Sequence, residues 1–241
     1  MSGTELTRET FLNRKLILYQ PKIGYRFSLD AFLLAGFVKP KRKDQILELG
    51  SGCGVVSLLL AYRHPKNKFI GLEIQTRLVR CFQMNIKANQ MEKRVFAIQG
   101  DLRRPPFRPH SFDLVLTNPP FYPVGRGRLP PHEEDKLARH EILAGLEHVA
   151  QTAQNLLKPK GRLDLIYPAS RLDYLLNILD EYLFRPKTLR LVHSYPGDEG
   201  RLVLLEAVKG GGRELRVLPP LFIYVKKGGA YTAEVEQLFA P

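Results

Sequence analysis

The chain has only two cysteines, Cys53 and Cys81, too few for a disulfide framework and in keeping with a reducing compartment. Its six histidines (His64, His110, His132, His140, His148, His193) show no metal-ligand spacing. His140-Glu141 lacks the second histidine of H-E-x-x-H, so no resident metal is expected. Long apolar runs are missing too: the most apolar window, residues 46–62, carries Glu48 and several glycines and is too short for a bilayer. Met1 to Thr10 holds Glu5, Arg8 and Glu9 and no apolar core, so no signal-peptide pattern is read and a cytoplasmic location is expected. Internal repeats and low-complexity blocks are absent. Acidic charge is scarce: 24 Asp and Glu face 37 Lys and Arg, a net charge of +13 with a sequence pI near 9.8. Such an excess speaks of anionic partners rather than of fold, nucleic acid ahead of a membrane surface.

What is present is an alternation. The length of 241 residues suits one domain, or one with a small appendage. Leu16 to Tyr19 reads as a strand, residues 20–24 as a turn, and Tyr25-Arg26-Phe27 as the returning half of a hairpin. Ser28 or Asp30 can cap a helix over residues 31–38. From residue 44 on, strands at 46–49, 69–72, 95–98 and 113–117 interleave with helices at 55–62 and around Leu78, Phe82 and Ile86. Residues 123–135 read as a mobile surface loop. A helix follows through Leu143, Leu146, Ala150, Ala153 and Leu157, ended by Gly161. Next come a strand at 162–167 and a helix capped by Ser170 and carrying Leu172, Leu175, Leu176, Leu179 and Leu183. Strands at 187–193 and 201–208 are joined by only a short link containing Pro196-Gly197-Asp198-Glu199-Gly200, which suits an antiparallel pair. Residues 221–225 are one more strand candidate. The pattern predicts an α/β fold, a mixed sheet covered by helices on both faces. Residues 1–43 read as an extension packed on a core at 44–241.

In such sheets ligands sit beyond the carboxyl ends of the strands. Four polar features fall on that edge. Glu48-Leu49-Gly50-Ser51-Gly52-Cys53-Gly54 lets a ligand approach the backbone, yet Val55 stands where a dinucleotide fingerprint needs its third glycine, and no Lys-Ser/Thr pair makes a phosphate loop. Glu73 can accept from two ribose hydroxyls, and Asp101 can accept from an adenine amino group or cap its own loop. Strand 113–117 ends in Asn118-Pro119-Pro120-Phe121-Tyr122, where neither proline has an N–H and neither strand nor helix can continue. An exocyclic amino nitrogen is a poor nucleophile because its lone pair is delocalised into the ring. The Asn118 side-chain oxygen and the Pro119 carbonyl could draw both N–H bonds out of plane and localise that pair, with Phe121 stacked on the base and Tyr122 nearby. No group with a shifted pKa is required, and the electrophile must come from a cofactor.

Glycine loop, Glu73, Asp101 and Asn-Pro-Pro-Phe together resemble class I S-adenosylmethionine-dependent methyltransferases of the N6-adenine or glutamine-amide type. Gln20, the run Gly24 to Ala35, and Ala138-Arg139-His140-Glu141 resemble, more narrowly, the bacterial tRNA1(Val) (adenine-37)-N6-methyltransferase family. That resemblance implies a Rossmann-like seven-stranded sheet with its last strand antiparallel. It implies S-adenosylmethionine held by Phe27, Asp30, Glu48, Gly50, Ser51, Gly52, Glu73, Ile74, Asp101, Leu102 and Asn118, and a base held by Asn118 to Tyr122. Arg26, Arg126, Arg128 and His140 would then face the RNA, and a monomer or weak dimer is expected. Phe121-Tyr122 departs from the Tyr-Phe order of that family, although either ring can stack.

Basic clusters at residues 39–43, Arg103-Arg104, Arg126 and Arg128, and Lys226-Lys227 favour RNA, tRNA above all, with an rRNA adenine or guanine as the neighbouring possibility. A protein-glutamine N5-methyltransferase of release-factor type would present the same planar NH2. The basic excess and the hairpin-like start, in place of a helical domain, point away from it. A cofactor-binding scaffold without catalysis is expected to lose Asn118, which is present.

Overall fold

The computed structural model describes residues 5–23, 27–119 and 145–240. An antiparallel hairpin comes first, β1 (Leu6–Phe11) against β2 (Leu16–Pro21). Helix α1 (Leu29–Phe37) follows, its first turn capped by the Ser28 hydroxyl, which accepts from the Asp30 N–H. The chain then alternates through β3 (Gln45–Leu49), α2 (Val55–Arg63), β4 (Lys68–Glu73), α3 (Thr76–Ala88), β5 (Val95–Gln99) and β6 (Phe112–Thr117). After residue 144 come α4 (Leu146–Leu156), β7 (Leu157–Pro168), α5 (Leu172–Glu181), β8 (Phe184–His193) and β9 (Gly200–Lys209). The two-residue strands β10 (Arg216–Val217) and β11 (Leu221–Phe222) and helix α6 (Ala233–Leu238) complete the described chain.

The main sheet runs β5-β4-β3-β6-β7-β9-β8, parallel throughout except for β9, which is antiparallel to both neighbours. These are the seven strands expected, the last of them reversed. β10 and β11 each lie parallel along β8 and bring the sheet to nine. Side chains alternate between faces, and each face meets its own helices. Ile46, Phe69, Leu114 and Leu116 bury one face with Leu33 of α1, Leu58 of α2 and Phe82 of α3. Leu47, Leu49, Val115 and Leu163 bury the other with Val149 and Ala153 of α4 and Leu175 of α5. Both faces being covered explains why these strands read as unbroken apolar runs.

Four sequence expectations need correction. The partner of β2 is residues 6–11, not 25–27; Tyr25 and Arg26 lie outside the described residues, and Phe27 precedes the α1 cap. The hairpin turns at Leu12, Asn13 and Arg14, all at left-handed φ of 53°, 53° and 66°, a conformation that no glycine signals in the sequence. Helix α4 stops at Leu156, and Gly161 lies inside β7. The apolar spacing runs on to Leu157, but Pro159 has no N–H and pushes the residue before it toward extended backbone. Helix α5 starts after a 3-10 turn at Ala169–Arg171 without a side-chain cap from Ser170, and Leu183 lies beyond its end at φ 60°, exposed. The strand expected at 221–225 is only Leu221–Phe222.

The hairpin is bound to α3 by two asparagines one turn apart. Asn89 accepts from the Ile17 N–H (2.8 Å) and donates to Ile17 O (2.6 Å). Asn85 accepts from the Tyr19 N–H (2.6 Å) and donates to Tyr19 O (2.9 Å) and to Cys53 O (3.0 Å). Each amide side chain thus satisfies the strand as a neighbouring strand would, and the fully buried Asn85 also reaches the glycine loop. Asn85→Ala leaves these backbone groups without a buried partner, and urea denaturation should show a loss of about 2–4 kcal/mol.

Candidate active site

Strand register builds the site. One row of Cα partners runs Ile98, Leu72, Leu49, Thr117, Leu165 across five neighbouring strands. The next residues along, Gln99, Glu73, Gly50 and Asn118, therefore stand side by side at the carboxyl edge. With strands about 4.8 Å apart, Glu73 and Asn118 flank Gly50 at roughly 10 Å from each other. The Thr117 hydroxyl, buried, donates to Leu49 O (3.0 Å) and ties the end of β6 to the end of β3 just before Asn118. Asn118 is half-buried and Pro119 buried.

Glu73 fastens the loops around it. Its carboxylate accepts from the Gly52 N–H (2.8 Å) and the Gln75 N–H (2.9 Å), and its backbone carbonyl accepts from the Gly100 N–H (3.0 Å). Gly50 and Ser51 donate their N–H groups to Leu72 O at 2.9 and 3.1 Å. Two glycines are required here. Gly50 has φ +68°, with open space around the position a Cβ would take. Gly54 has φ +79°, and a Cβ there would stand 2.0 Å from the Phe82 ring. The Ser51 hydroxyl is buried and has no hydrogen-bond partner among the described residues.

Other expected residues are placed differently. Glu48 is buried, and its carboxyl accepts from the Ser57 N–H (3.0 Å) and hydroxyl (2.5 Å) in the first turn of α2. Burial pushes Glu48 up to about 8, with Glu73 adding to the effect against the Ser57 bonds. Asp101 is clasped by Arg103, whose Nε donates at 3.0 and 2.9 Å, Nη2 at 2.6 Å and backbone N–H at 2.8 Å. That clasp, against a smaller opposing effect of burial, holds its carboxyl below the ordinary range. The following Leu102 carbonyl accepts from the Thr152 hydroxyl (2.7 Å), which anchors this loop to α4. Ile74 is half-buried in the turn after Glu73.

Phe27 belongs to the hairpin side. Its N–H donates to Gln20 (3.3 Å), and its ring meets Phe11 and Phe32 at 5.6 and 6.0 Å. No hydrogen bond among the described residues joins Phe27 or Asp30 to the glycine loop. Pro120, Phe121, Tyr122, Arg26, Arg126, Arg128, His140 and the expected loop at 123–135 lie outside the described residues. Thr117, Asn85 and Arg103 had not been singled out for the site. A threonine or asparagine inside an apolar pattern is the one signal that could have marked the first two.

The sequence profile of the methyltransferase small domain family matches residues 29–183. The chain belongs to that family. It is 32% identical over 206 residues to the tRNA1(Val) (adenine(37)-N6)-methyltransferase of Porphyromonas gingivalis, covering 82% of this chain and 80% of the relative. The enzyme of the same name from Aeromonas hydrophila is 27% identical, with 78% and 79% covered. Among solved structures, a predicted O-methyltransferase from Agrobacterium tumefaciens shares 23% identity with a TM-score of 0.70, over 87% of this chain and 94% of that one. A T. thermophilus 16S rRNA methyltransferase (RsmC), solved in complex with AdoMet and guanosine, shares 20% identity with a TM-score of 0.60, over 85% of this chain and 50% of that one. At those identities the two structures show the fold, a Rossmann-like methyltransferase sheet. S-adenosylmethionine is accordingly the methyl donor that the family implies. No helix among the described residues is long and apolar enough to cross a membrane, and no group of three or more metal-ligating side chains occurs among them.

A second carboxyl pushed up by burial lies within the same sheet. Asp164 of β7 is 1% exposed, and its Oδ1 has no hydrogen-bond partner among the described residues. Burial pushes it up to about 7, opposed by Arg162 and assisted by Glu206 and Asp44. Glu48 and Asp164 both keep their protons to higher pH folded than unfolded, so the native state binds more protons in that window. Stability must then fall as pH rises from about 4.5, the ordinary value for Glu48, toward 8. Urea midpoints measured from pH 5 to pH 9 should decline across that range, and Glu48→Gln should flatten the decline.

Proposed function

We propose that this protein transfers the methyl group of S-adenosylmethionine to the exocyclic N6 of an adenine in tRNA, of the tRNA1(Val) adenine-37 type. The observation that carries the reading is the register row that sets Glu73, Gly50 and Asn118 side by side, one acceptor on each flank of a glycine. The names borne by the relatives and the +13 charge support the choice of RNA.

The chain's own groups suit the donor. Glu73 retains acceptor capacity for ribose hydroxyls beyond its two backbone N–H bonds. Gly50 leaves the backbone open to approach, and the orphaned Ser51 hydroxyl and the Asp101 carboxylate lie in the loops on either side of Glu73. Glu48 fixes the helix behind the loop rather than touching the ligand. When bound, the cofactor supplies an electrophilic methyl group. The rest falls to Asn118 and Pro119. The amide oxygen and the carbonyl accept the two N–H bonds of the base and hold its nitrogen lone pair out of conjugation, facing the donor. Phe121 stacks on the base with Tyr122 nearby, Pro120 stiffens the turn that presents them, and Arg26, Arg126, Arg128 and His140 contact the RNA. Phe27 and Asp30 close the cofactor side from the start of α1, and Ile74 and Leu102 wall the adenine. The protein acts as a monomer or weak dimer in the cytoplasm, with residues 1–43 as an extension on a single catalytic unit.

Incubation with S-adenosylmethionine and total tRNA, followed by nucleoside mass spectrometry, should show N6-methyladenosine. Asn118→Ala should lower kcat roughly 100- to 1,000-fold, the scale of losing one oriented transition-state hydrogen bond, with an unchanged unfolding midpoint. Transfer to rRNA fragments but not to tRNA would overturn the tRNA assignment.

A further inference from the structure

A cluster of exposed positive charge lies on the edge of the sheet away from the reaction. Lys41, Arg42 and Lys43 are exposed in the loop entering β3, Lys66 is exposed in the loop entering β4, and Lys68 is exposed as the first residue of β4. These loops sit at the amino ends of parallel strands, with Gln45 paired to Lys68 in register. Strands of five and six residues separate them from the Glu73–Gly50–Asn118 edge by roughly 17–20 Å.

The two loops are fixed to one another. The buried Asn67 amide donates to Lys41 O (2.6 Å) and to Asp44 O (3.4 Å). Asp44 accepts from the Lys41 N–H (2.8 Å) and its own N–H donates to Lys41 O (3.1 Å). Asp44 is the one carboxylate in these loops and it does not neutralise them, because it is 9% exposed and paired with Arg162 at 3.2 Å. Among the described residues none of the five cations has an ion-pair partner. The turn also holds Lys43 at φ +73°, where glycine or asparagine would sit with less strain. By contrast, Lys39 donates to Gly36 O (2.8 Å) at the end of α1, and Arg63 and Arg94 donate to the carbonyls of Leu238 and Ala61.

We propose that Lys41, Arg42, Lys43, Lys66 and Lys68 form a second phosphate-binding surface for RNA, on the side of the sheet opposite the reacting base. The proposal rests on the RNA-methylating reading above and extends it. A folded RNA whose target loop enters at Asn118 carries its helical body past the sheet, and this surface holds that body by its backbone. Such contacts carry no sequence information; they set register and make affinity steeply dependent on salt.

The test is equilibrium binding of total tRNA across a salt series, with unfolding midpoints recorded for each variant. Lys66→Glu with Lys68→Glu should weaken binding about tenfold or more near physiological salt and lower the slope of log affinity against log salt by about 2. Arg213→Glu with Arg216→Glu makes the same change in net charge at another exposed site and should alter affinity less than about twofold. Lys43→Gly removes one charge and relieves the backbone strain, so its unfolding midpoint should rise while its salt slope falls by about 1. Equal losses at the two paired sites, or unchanged tRNA binding in the Lys66/Lys68 and Lys43 variants, would overturn the proposal. So would a loss confined to vesicles of anionic lipid. Methyl transfer is scored separately: wild-type protein that binds tRNA through this surface yet makes no N6-methyladenosine would sink the functional reading and leave the surface standing.

Discussion

One buried carboxylate, Glu73, holds the site in shape. Its side chain joins the glycine loop at Gly52 to the start of α3 at Gln75, and its carbonyl holds Gly100 at the end of β5. Three chain reversals that share no sequence are thereby set at one strand end. A carboxylate with two oxygens can bridge two N–H groups and still offer lone pairs outward, which a hydroxyl cannot do. The same atoms that shape the cradle are therefore the acceptors left facing it.

Around that hub the protein uses polar side chains where backbone pairing is unavailable. The free edge of β2 would present unpaired groups to α3, and Asn85 and Asn89 take the place of a neighbouring strand. Asn67 does the same for the two basic loops at the far edge. The Thr117 bond to Leu49 fixes where β6 ends relative to β3. In each case a short amide or hydroxyl placed by regular structure determines the position of an irregular segment. The carboxyl edge thus receives its chemistry from loops locked by Glu73, while the amino edge receives charge from loops locked by Asn67.

Much of this was legible from residue pattern. The strands from 46–49 to 113–117 were readable because burial on both faces makes them continuous apolar runs, and their ends were marked by Gly50, Glu73, Asp101 and Asn118. The count of seven strands with the last reversed came from the family resemblance, while the order of the sheet was not legible, since apolar runs do not say which strand neighbours which. The hairpin was misread because Leu6–Phe11 is half-exposed and alternates polar residues, and its turn is made by Leu12, Asn13 and Arg14 rather than glycine. The end of α4 was missed because a 3-4 apolar spacing carries on past the point where Pro159 forbids a helix. Glu48 reads as part of the glycine motif, yet its carboxyl turns toward Ser57; nothing in the motif says which way a side chain at the last turn of a buried strand will point.

The most direct measurement is calorimetric titration of S-adenosylmethionine into wild-type protein and Glu73→Gln, at a temperature where both are folded. A glutamine keeps the shape but puts an NH2 donor where one acceptor oxygen stood and removes the charge, so it cannot accept both backbone N–H bonds while offering a charged oxygen to the ribose hydroxyls. The account predicts micromolar-range binding to the wild type and a loss of about 30-fold or more in the variant, as when a charge-assisted hydrogen bond is removed. Equal affinities would contradict it and place the cofactor elsewhere.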